Sequence, residues 1–248
     1  MSAIVIEVVD ETHVRVCTIN RVERRNAFDQ QHYHALADSL ADAASDAAVH
    51  VVVVTGTGSA FSAGQDLQEL TALASGGSGG RSGGGQGSDG FPRLLEQLET
   101  FPKPLLAAVN GDAVGIGMTM LLHCDIVIVA AEARLRMPFS EMGVPPEAGS
   151  SALLPDAVGW QNAAELLFTS RWIDGTEAVM LGFAQRALPT DRVLADTLAL
   201  AHRIAQRSPW AVQTAKRLLL AARGDRSRQA RRGEDAAFVE LFAGRSGA

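Results

Sequence analysis

A mixed α/β core followed by a helical tail is the fold class this 248-residue chain predicts, and three observations carry it. Short β-branched runs alternate with helical periodicity through the first three quarters of the sequence. Strand signals stop after about Pro189. Three helical patterns in succession then fill the remainder.

The elements follow in order. Ile4 to Val9 and Val14 to Ile19 read as strands, and Phe28 to Asp46 as a helix with Leu36 and Leu40 at helical spacing and Asp29 placed to cap it. His32 and His34 read as its solvated start. Val51 to Thr55 is the next strand, and a further helix begins near Asp66. Ser75 to Gly90, with nine glycines and almost nothing to bury, is expected to be a mobile loop. A phosphate-cradling loop is the alternative, but the Lys-Ser/Thr ending is missing and no strand directly precedes it. Phe91 to Phe101 is amphipathic, Leu105 to Val109 and Ile126 to Ala130 are strands, and Gly115 to His123 lies between them as a helix. The tail holds Asp191 to Arg207, Pro209 to Arg223 with Ser208 as cap and Pro209 at the first helical position, and Arg226 to Ala243. The division is an α/β core over 1–190 and a helical region over 191–248.

Composition narrows the classes. At 47% hydrophobic and 20% charged the chain reads as soluble and globular, with enough apolar mass for a large core. A net charge of -6 argues against a sequence-independent nucleic-acid binder, which needs a basic surface to displace counterions. Leu105 to Ala131 is not a membrane span, because Asn110, Asp112, His123 and Asp125 interrupt it. Asp125 reads instead as an organiser of the turn before the next strand. Cys17 and Cys124 lack metal-ligand spacing and read as buried free thiols of a reducing, cytoplasmic compartment, and the acidic N-terminus reads as a strand, not a signal peptide. The histidines show no metal-ligand spacing, so no metal is expected.

Three segments carry chemistry. Val51 to Leu67 (VVVVTGTGSAFSAGQDL) and Leu105 to Thr119 (LLAAVNGDAVGIGMT) each deliver glycine-rich backbone from a strand to the start of a helix. Helix-initiating N–H groups lack intrahelical partners, so two such segments aimed at one oxygen would form an oxyanion hole. Tight turns are the plain alternative for either one alone. The third, Met137 to Ser151 (MPFSEMGVPPEAGSS), puts Glu147 in a proline-stiffened turn among small and apolar residues, where a carboxylate suits proton transfer. Glu141 competes for that role, and a solvated turn residue is the alternative for Glu147.

These residues resemble the crotonase superfamily of enoyl-CoA hydratases and isomerases over nearly the whole chain. INRVERRNAF (19–28), FSAGQD (61–66), KPLLAAVNG (103–111), AVGIG (113–117), CDIVIVA (124–130) and LLFTSRWIDGTEAVMLGFAQRAL (166–188) carry the likeness in order. The resemblance implies a crotonase fold of repeated ββα units in a superhelical core with a C-terminal helical region. It implies oxyanion donors at the backbone N–H groups of Gln65 and Ile116, with Ala63, Gly64, Asp66, Gly115 and Gly117 in the surrounding substrate-binding loops. Asp66 reads as a cap for the following helix rather than as a reacting group.

The two glutamates with which hydratases of the family activate water fall here on Thr119 and Phe139, neither of which transfers a proton. GVPPEAGSS, with PFS at 138–140 and AVGIGMTMLL at 113–122, is instead similar to the Δ3,Δ2-enoyl-CoA isomerase branch, whose single catalytic glutamate falls on Glu147. The implied reaction moves a 3-enoyl-CoA double bond to the 2-position. Coenzyme A belongs to the substrate, and no cofactor is implied. Another crotonase-type activity, hydratase or thioesterase, and a non-catalytic acyl-CoA-binding module remain the alternatives. Phe139, Met142 and Met118 are candidates for the acyl pocket, with ordinary core packing the alternative for each, and Arg24 and Arg25 are candidates for the CoA phosphates, with a solvated basic turn the alternative. The resemblance also implies a homotrimer or hexamer, with Leu218 to Leu220 and Phe238 to Phe242 as apolar contact surfaces.

Overall fold

The structure, a computed structural model, describes residues 4–9, 12–66 and 89–245. The expected glycine-rich loop, but for its last two residues, and the helix expected from Asp66 lie outside the described residues.

The chain opens with β1 (Ile4–Val9) antiparallel to β2 (Val14–Ile19), then α1 (Gln30–Ser45), whose first turn is capped by the Asp29 carboxylate accepting from His32 N–H. His32 is buried, not solvated: its ring bonds the same carboxylate at 2.6 Å and meets Phe28 edge-on. From here one unit repeats. β3 (Val51–Gly56) turns into the short β4 (Ala60–Ser62); after α2 (Gly90–Thr100), β5 (Leu105–Val109) turns into β6 (Asp112–Val114) and α3 (Ile116–Thr119). β7 (Ile126–Ala130) turns into β8 (Arg134–Arg136). The long strand of each unit joins one sheet and the short strand joins another.

Next come α4 (Ser150–Val158), α5 (Trp160–Thr169), β9 (Ile173–Asp174), α6 (Gly175–Met180) and β10 (Arg186–Leu188). The tail is α7 (Thr190–Ala205), α8 (Pro209–Arg223) and α9 (Arg226–Arg245). In α8 the Ser208 hydroxyl caps and Pro209 opens the helix, because proline's missing N–H is one that would have no intrahelical partner there.

The larger sheet runs β1-β2-β3-β5-β7-β10, parallel from β2 onward, and the smaller runs β4-β6-β8-β9. Val51 to Val54 and Leu105 to Val109 are fully buried, as continuous apolar runs in parallel sheets are when both faces are covered. α7 packs on β3, β5 and β7, burying Val193, Thr197, Ala201 and Ala205 at four-residue spacing. The turns between sheets are glycine-bound by contact: a Cβ at Gly111 would lie 2.1 Å from the Ser59 carbonyl oxygen of the neighbouring unit's turn. Asn110 ties the same turns, accepting from Gly56 N–H at 3.0 Å and donating to Gly58 O at 2.8 Å.

Gly115 to His123 is not one helix. α3 ends at Thr119 and a 3-10 turn, Met120–His123, follows, its last carbonyls closed by Cys124 N–H on Leu121 O. Asp125 then joins three elements: it accepts from Leu105 N–H at 2.8 Å and takes the Lys216 ammonium of α8 on both oxygens at 2.7 Å. Lys216 is 5% exposed, and stranding such a charge costs about 3–5 kcal/mol where both partners are fully buried. Because the Asp125 side chain keeps 29% exposure, Asp125→Ala is expected to cost about 2 kcal/mol, read as a lowered urea midpoint.

Both cysteines are free, and burial pushes each thiol up to about 12, which makes them poor nucleophiles at neutral pH. Among the described residues no helix is long and apolar enough to cross a membrane.

Candidate active site

β4, β6 and β8 lie side by side and parallel, so their C-terminal ends open on one edge of the small sheet. Each feeds one of the three segments singled out in the sequence: Ala63 to Gln65 after β4, Gly115 and Ile116 after β6, and the turn carrying Glu147 beyond β8.

The first two are held in backbone contact. Gly64 has φ +93° and a Cβ there would stand 2.7 Å from the Val114 carbonyl oxygen; Gly115, at φ +53°, lies across from it. Only glycine allows that approach with those angles. Gly115 N–H bonds Arg136 O at 3.0 Å, tying the second loop to β8. Phe28 pairs with the first loop, donating to Gly64 O at 2.7 Å and accepting from Asp66 N–H at 2.8 Å. Alternation along extended backbone then turns the Gln65 N–H to the opposite side. Ile116 is the first residue of α3, so its N–H has no carbonyl within that helix to bond. Neither donor role needs a particular side chain.

The third segment is braced where Glu147 sits. Ala148 and Gly149 are both left-handed, at φ +62° and +71°, which folds the turn tightly behind the carboxylate. His123 donates Nε2–H to Ala148 O at 2.8 Å. Glu234 of α9 accepts from Gly149 N–H at 2.8 Å, Ser151 N–H at 2.9 Å and the Ser151 hydroxyl at 2.6 Å. Burial, with the nearby Glu147 charge adding to it, holds the Glu234 carboxyl above its ordinary range against the pull of these hydrogen bonds.

A cavity of about 340 Å³ opens between the three segments. Ala63, Gly64 and Gln65 line it on one side, Gly115 and Ile116 on a second, and Phe139, Met142 and Glu147 on a third. Glu147 is 9% exposed there. Glu141 also lines it, but is largely exposed and ion-paired with Arg136, whose guanidinium stacks on Trp172 and bonds Ser170 O.

Other expected positions lie elsewhere. Met118 packs in the core and does not line the cavity. Gly117 is a packing glycine, with a Cβ there 2.5 Å from Ser62 O. Asp66 ion-pairs with Arg21 at 2.9 Å. Arg25 pairs with Asp112, which also takes Arg134, while Arg24 ends an exposed 3-10 turn; neither lines the cavity. Phe238 of α9, expected as part of an apolar contact surface, is half-buried and lines this cavity. Phe238 and Glu234 were not legible as site residues, because only the packing of α9 against α4 brings them there.

His123 gives this site a pH signature. Burial pushes its pKa down to about 4 from 6.5. Between those values the unfolded chain binds the extra proton and the folded one does not, so this group's contribution is full above about pH 6.5 and falls as pH drops toward 4, by about 3 kcal/mol in all. His123→Gln is expected to flatten the acid limb of a stability-against-pH curve measured by calorimetry.

The comparisons with known proteins agree with this geometry. The family model described as "Enoyl-CoA hydratase/isomerase" matches residues 10–247. The 2,3-dehydroadipyl-CoA hydratase of Escherichia coli is 34% identical over 209 residues, covering 84% of this chain and 79% of that one. The mitochondrial Delta(3,5)-Delta(2,4)-dienoyl-CoA isomerase of Homo sapiens is 32% identical over 220 residues, 86% of this chain and 67% of that one. Among solved structures, an enoyl-CoA hydratase/isomerase from Pseudoalteromonas atlantica T6c superposes with a TM-score of 0.88 at 34% identity, covering 97% of this chain and 92% of that one. With the repeated two-sheet unit and the paired glycine loops at one sheet edge, these place the chain in the enoyl-CoA hydratase/isomerase family, with the crotonase fold.

Proposed function

We propose that the protein is an enoyl-CoA isomerase that moves the double bond of a 3-enoyl-CoA into conjugation with its thioester. One observation carries the reading: of the two carboxylates on the cavity Glu147 is the buried one, while the two positions where a family hydratase keeps its glutamates hold Thr119 and Phe139.

The thioester oxygen accepts from the N–H groups of Gln65 and Ile116, which stabilise the charge that develops when Glu147 removes a proton from C2. A dienolate forms as the C2–H electron pair shifts into the thioester. The same carboxyl returns the proton to C4, the double bond settles between C2 and C3, and Glu147 is again ionised. Atoms balance without water or a redox partner. Phe139, Met142 and Phe238 give the acyl chain an apolar wall. Arg24 and Arg25 are the proposed contacts for the CoA phosphates, which requires Arg25 to exchange Asp112 for phosphate.

Hydration is the second reading. It is favoured by Glu141, a second carboxylate on the cavity, and by a relative named as a hydratase. The Arg136 ion pair supports the isomerase over it, because that carboxylate is already neutralised. Following the protein separately with a 3-enoyl-CoA and a 2-enoyl-CoA discriminates them. Conjugation of the first without hydration of the second is expected. Fast hydration would favour the hydratase, and binding without turnover would favour an acyl-CoA-binding module.

The same reading includes a homotrimer, for which exposed Trp210, Leu218 and Leu219 on α8 supply apolar surface. Sedimentation is expected to give a trimer or its dimer, and a monomer at micromolar concentration would remove this part.

A further inference from the structure

α9 is held to the domain in an unusual way. Its sequence, RSRQARRGEDAAFVELFAGR, is highly charged, and the positions it buries include Ser227 and Glu234, seven residues apart on one face. Burying a carboxylate opposes packing unless its oxygens are used. Those of Glu234 are: three hydrogen bonds run to it from Gly149 and Ser151, the second and fourth residues after Glu147. Ser227 meets the same turn, since a Cβ on Gly149 would come within 2.7 Å of its hydroxyl oxygen. Phe238, one turn beyond Glu234, lines the cavity itself.

We propose that Glu234 is a positioning residue for the Glu147 carboxylate: from the C-terminal helix it fixes the left-handed Ala148–Gly149 turn, and with it the direction in which Glu147 enters the cavity. The inference rests on the reading of Glu147 as the base. Two left-handed residues in succession form a turn with little intrinsic preference, and Ala148 pays a steric cost to adopt it. Two carboxylate oxygens gripping the N–H groups on its far side select this conformation over its alternatives. Helix α9 thereby completes the site in two ways, with Glu234 setting the acid and Phe238 closing the wall.

The test is the kinetics of Glu234→Gln in the full chain. The amide keeps the size but offers one acceptor oxygen where the carboxylate offers two, and its NH2 opposes a backbone donor. A kcat lowered about 10-fold is expected, because a small misplacement of a reacting group is costly. KM, and the affinity for a saturated acyl-CoA, are expected to stay as they are, because the oxyanion donors and the apolar wall remain. A lower melting temperature with kcat intact would make Glu234 a purely structural brace and overturn the assignment, as would a KM that rises in step with the loss of kcat.

Should Glu234→Gln not fold, Ser151→Ala carries the test, since it deletes one of the three bonds. A kcat about 3-fold lower at unchanged KM is expected from that milder displacement, and an unchanged kcat overturns the proposal. Glu147→Gln run alongside separates the two levels. If it remains active, the reading of Glu147 fails; if it is inactive while Glu234→Gln is fully active, only the role of Glu234 fails.

Discussion

Glu147→Gln is expected to lower the turnover of a 3-enoyl-CoA by about 100- to 10,000-fold, the range a positioned acid–base group contributes. The substitution keeps the shape of the side chain and removes its ability to take a proton. The cavity walls, the glycine loops and the hydrogen bonds behind the turn come from other residues, so binding of a saturated acyl-CoA is expected to change little. The contrast with Glu141→Gln is informative. Glu141 lines the same cavity but is exposed and paired with Arg136, and its loss is expected to leave kcat within about 3-fold if it takes no part in proton transfer. Steady-state kinetics of the two variants, followed as formation of the conjugated thioester, measures both.

Gly64→Ala is expected to damage the other half of the site. The new methyl group would stand 2.7 Å from Val114 O at a backbone φ of +93°, and the neighbour is main chain that cannot swing aside. Either the two loops separate or the first leaves its left-handed geometry, and on the proposed mechanism both displace Gln65 N–H from the thioester oxygen. Loss of one oxyanion donor costs about 3–4 kcal/mol of transition-state stabilisation, so kcat is expected to fall about 100- to 1,000-fold. The strained backbone adds a stability loss of about 1–3 kcal/mol, read as a lower urea midpoint. A variant with normal kcat would remove the loop from the chemistry.

The division of legibility between sequence and structure has physical causes. Long apolar strands such as Val51–Gly56 and Leu105–Val109 announce themselves, because burial on both faces demands β-branched or aliphatic side chains throughout. The cap at Asp29 and the Ser208-Pro209 start of α8 are equally local signals. The small sheet is different. β4, β6 and β8 have three residues each, too few for a two-residue period to emerge, and their pairing is fixed by how the longer strands stack. Yet that sheet brings Gln65, Ile116 and Glu147 to one edge. The sequence could name them because their glycine and proline surroundings are chemically distinctive, without showing what aligns them.

Side chains recruited over long distances were least legible. Glu234 lies 85 residues from Gly149, the N–H it accepts, and nothing near it in sequence hints at a partner. Phe238 sits in an apolar cluster at the end of a charged helix, a pattern that reads as a contact surface and gives no sign that the ring also lines the cavity. Met118 illustrates the opposite error. An apolar side chain beside a glycine loop invites assignment to the pocket, but Met118 packs in the core and does not line the cavity.

The central claim, that one carboxyl carries a proton from C2 to C4, is tested most directly by supplying a 3-enoyl-CoA with both C2 hydrogens replaced by deuterium and locating the label in the product. A single-acid shuttle predicts conjugated 2-enoyl-CoA with one deuterium kept at C2 and the other found at C4. A 3-hydroxyacyl product, or a conjugated product carrying only solvent hydrogen at C4, would contradict it.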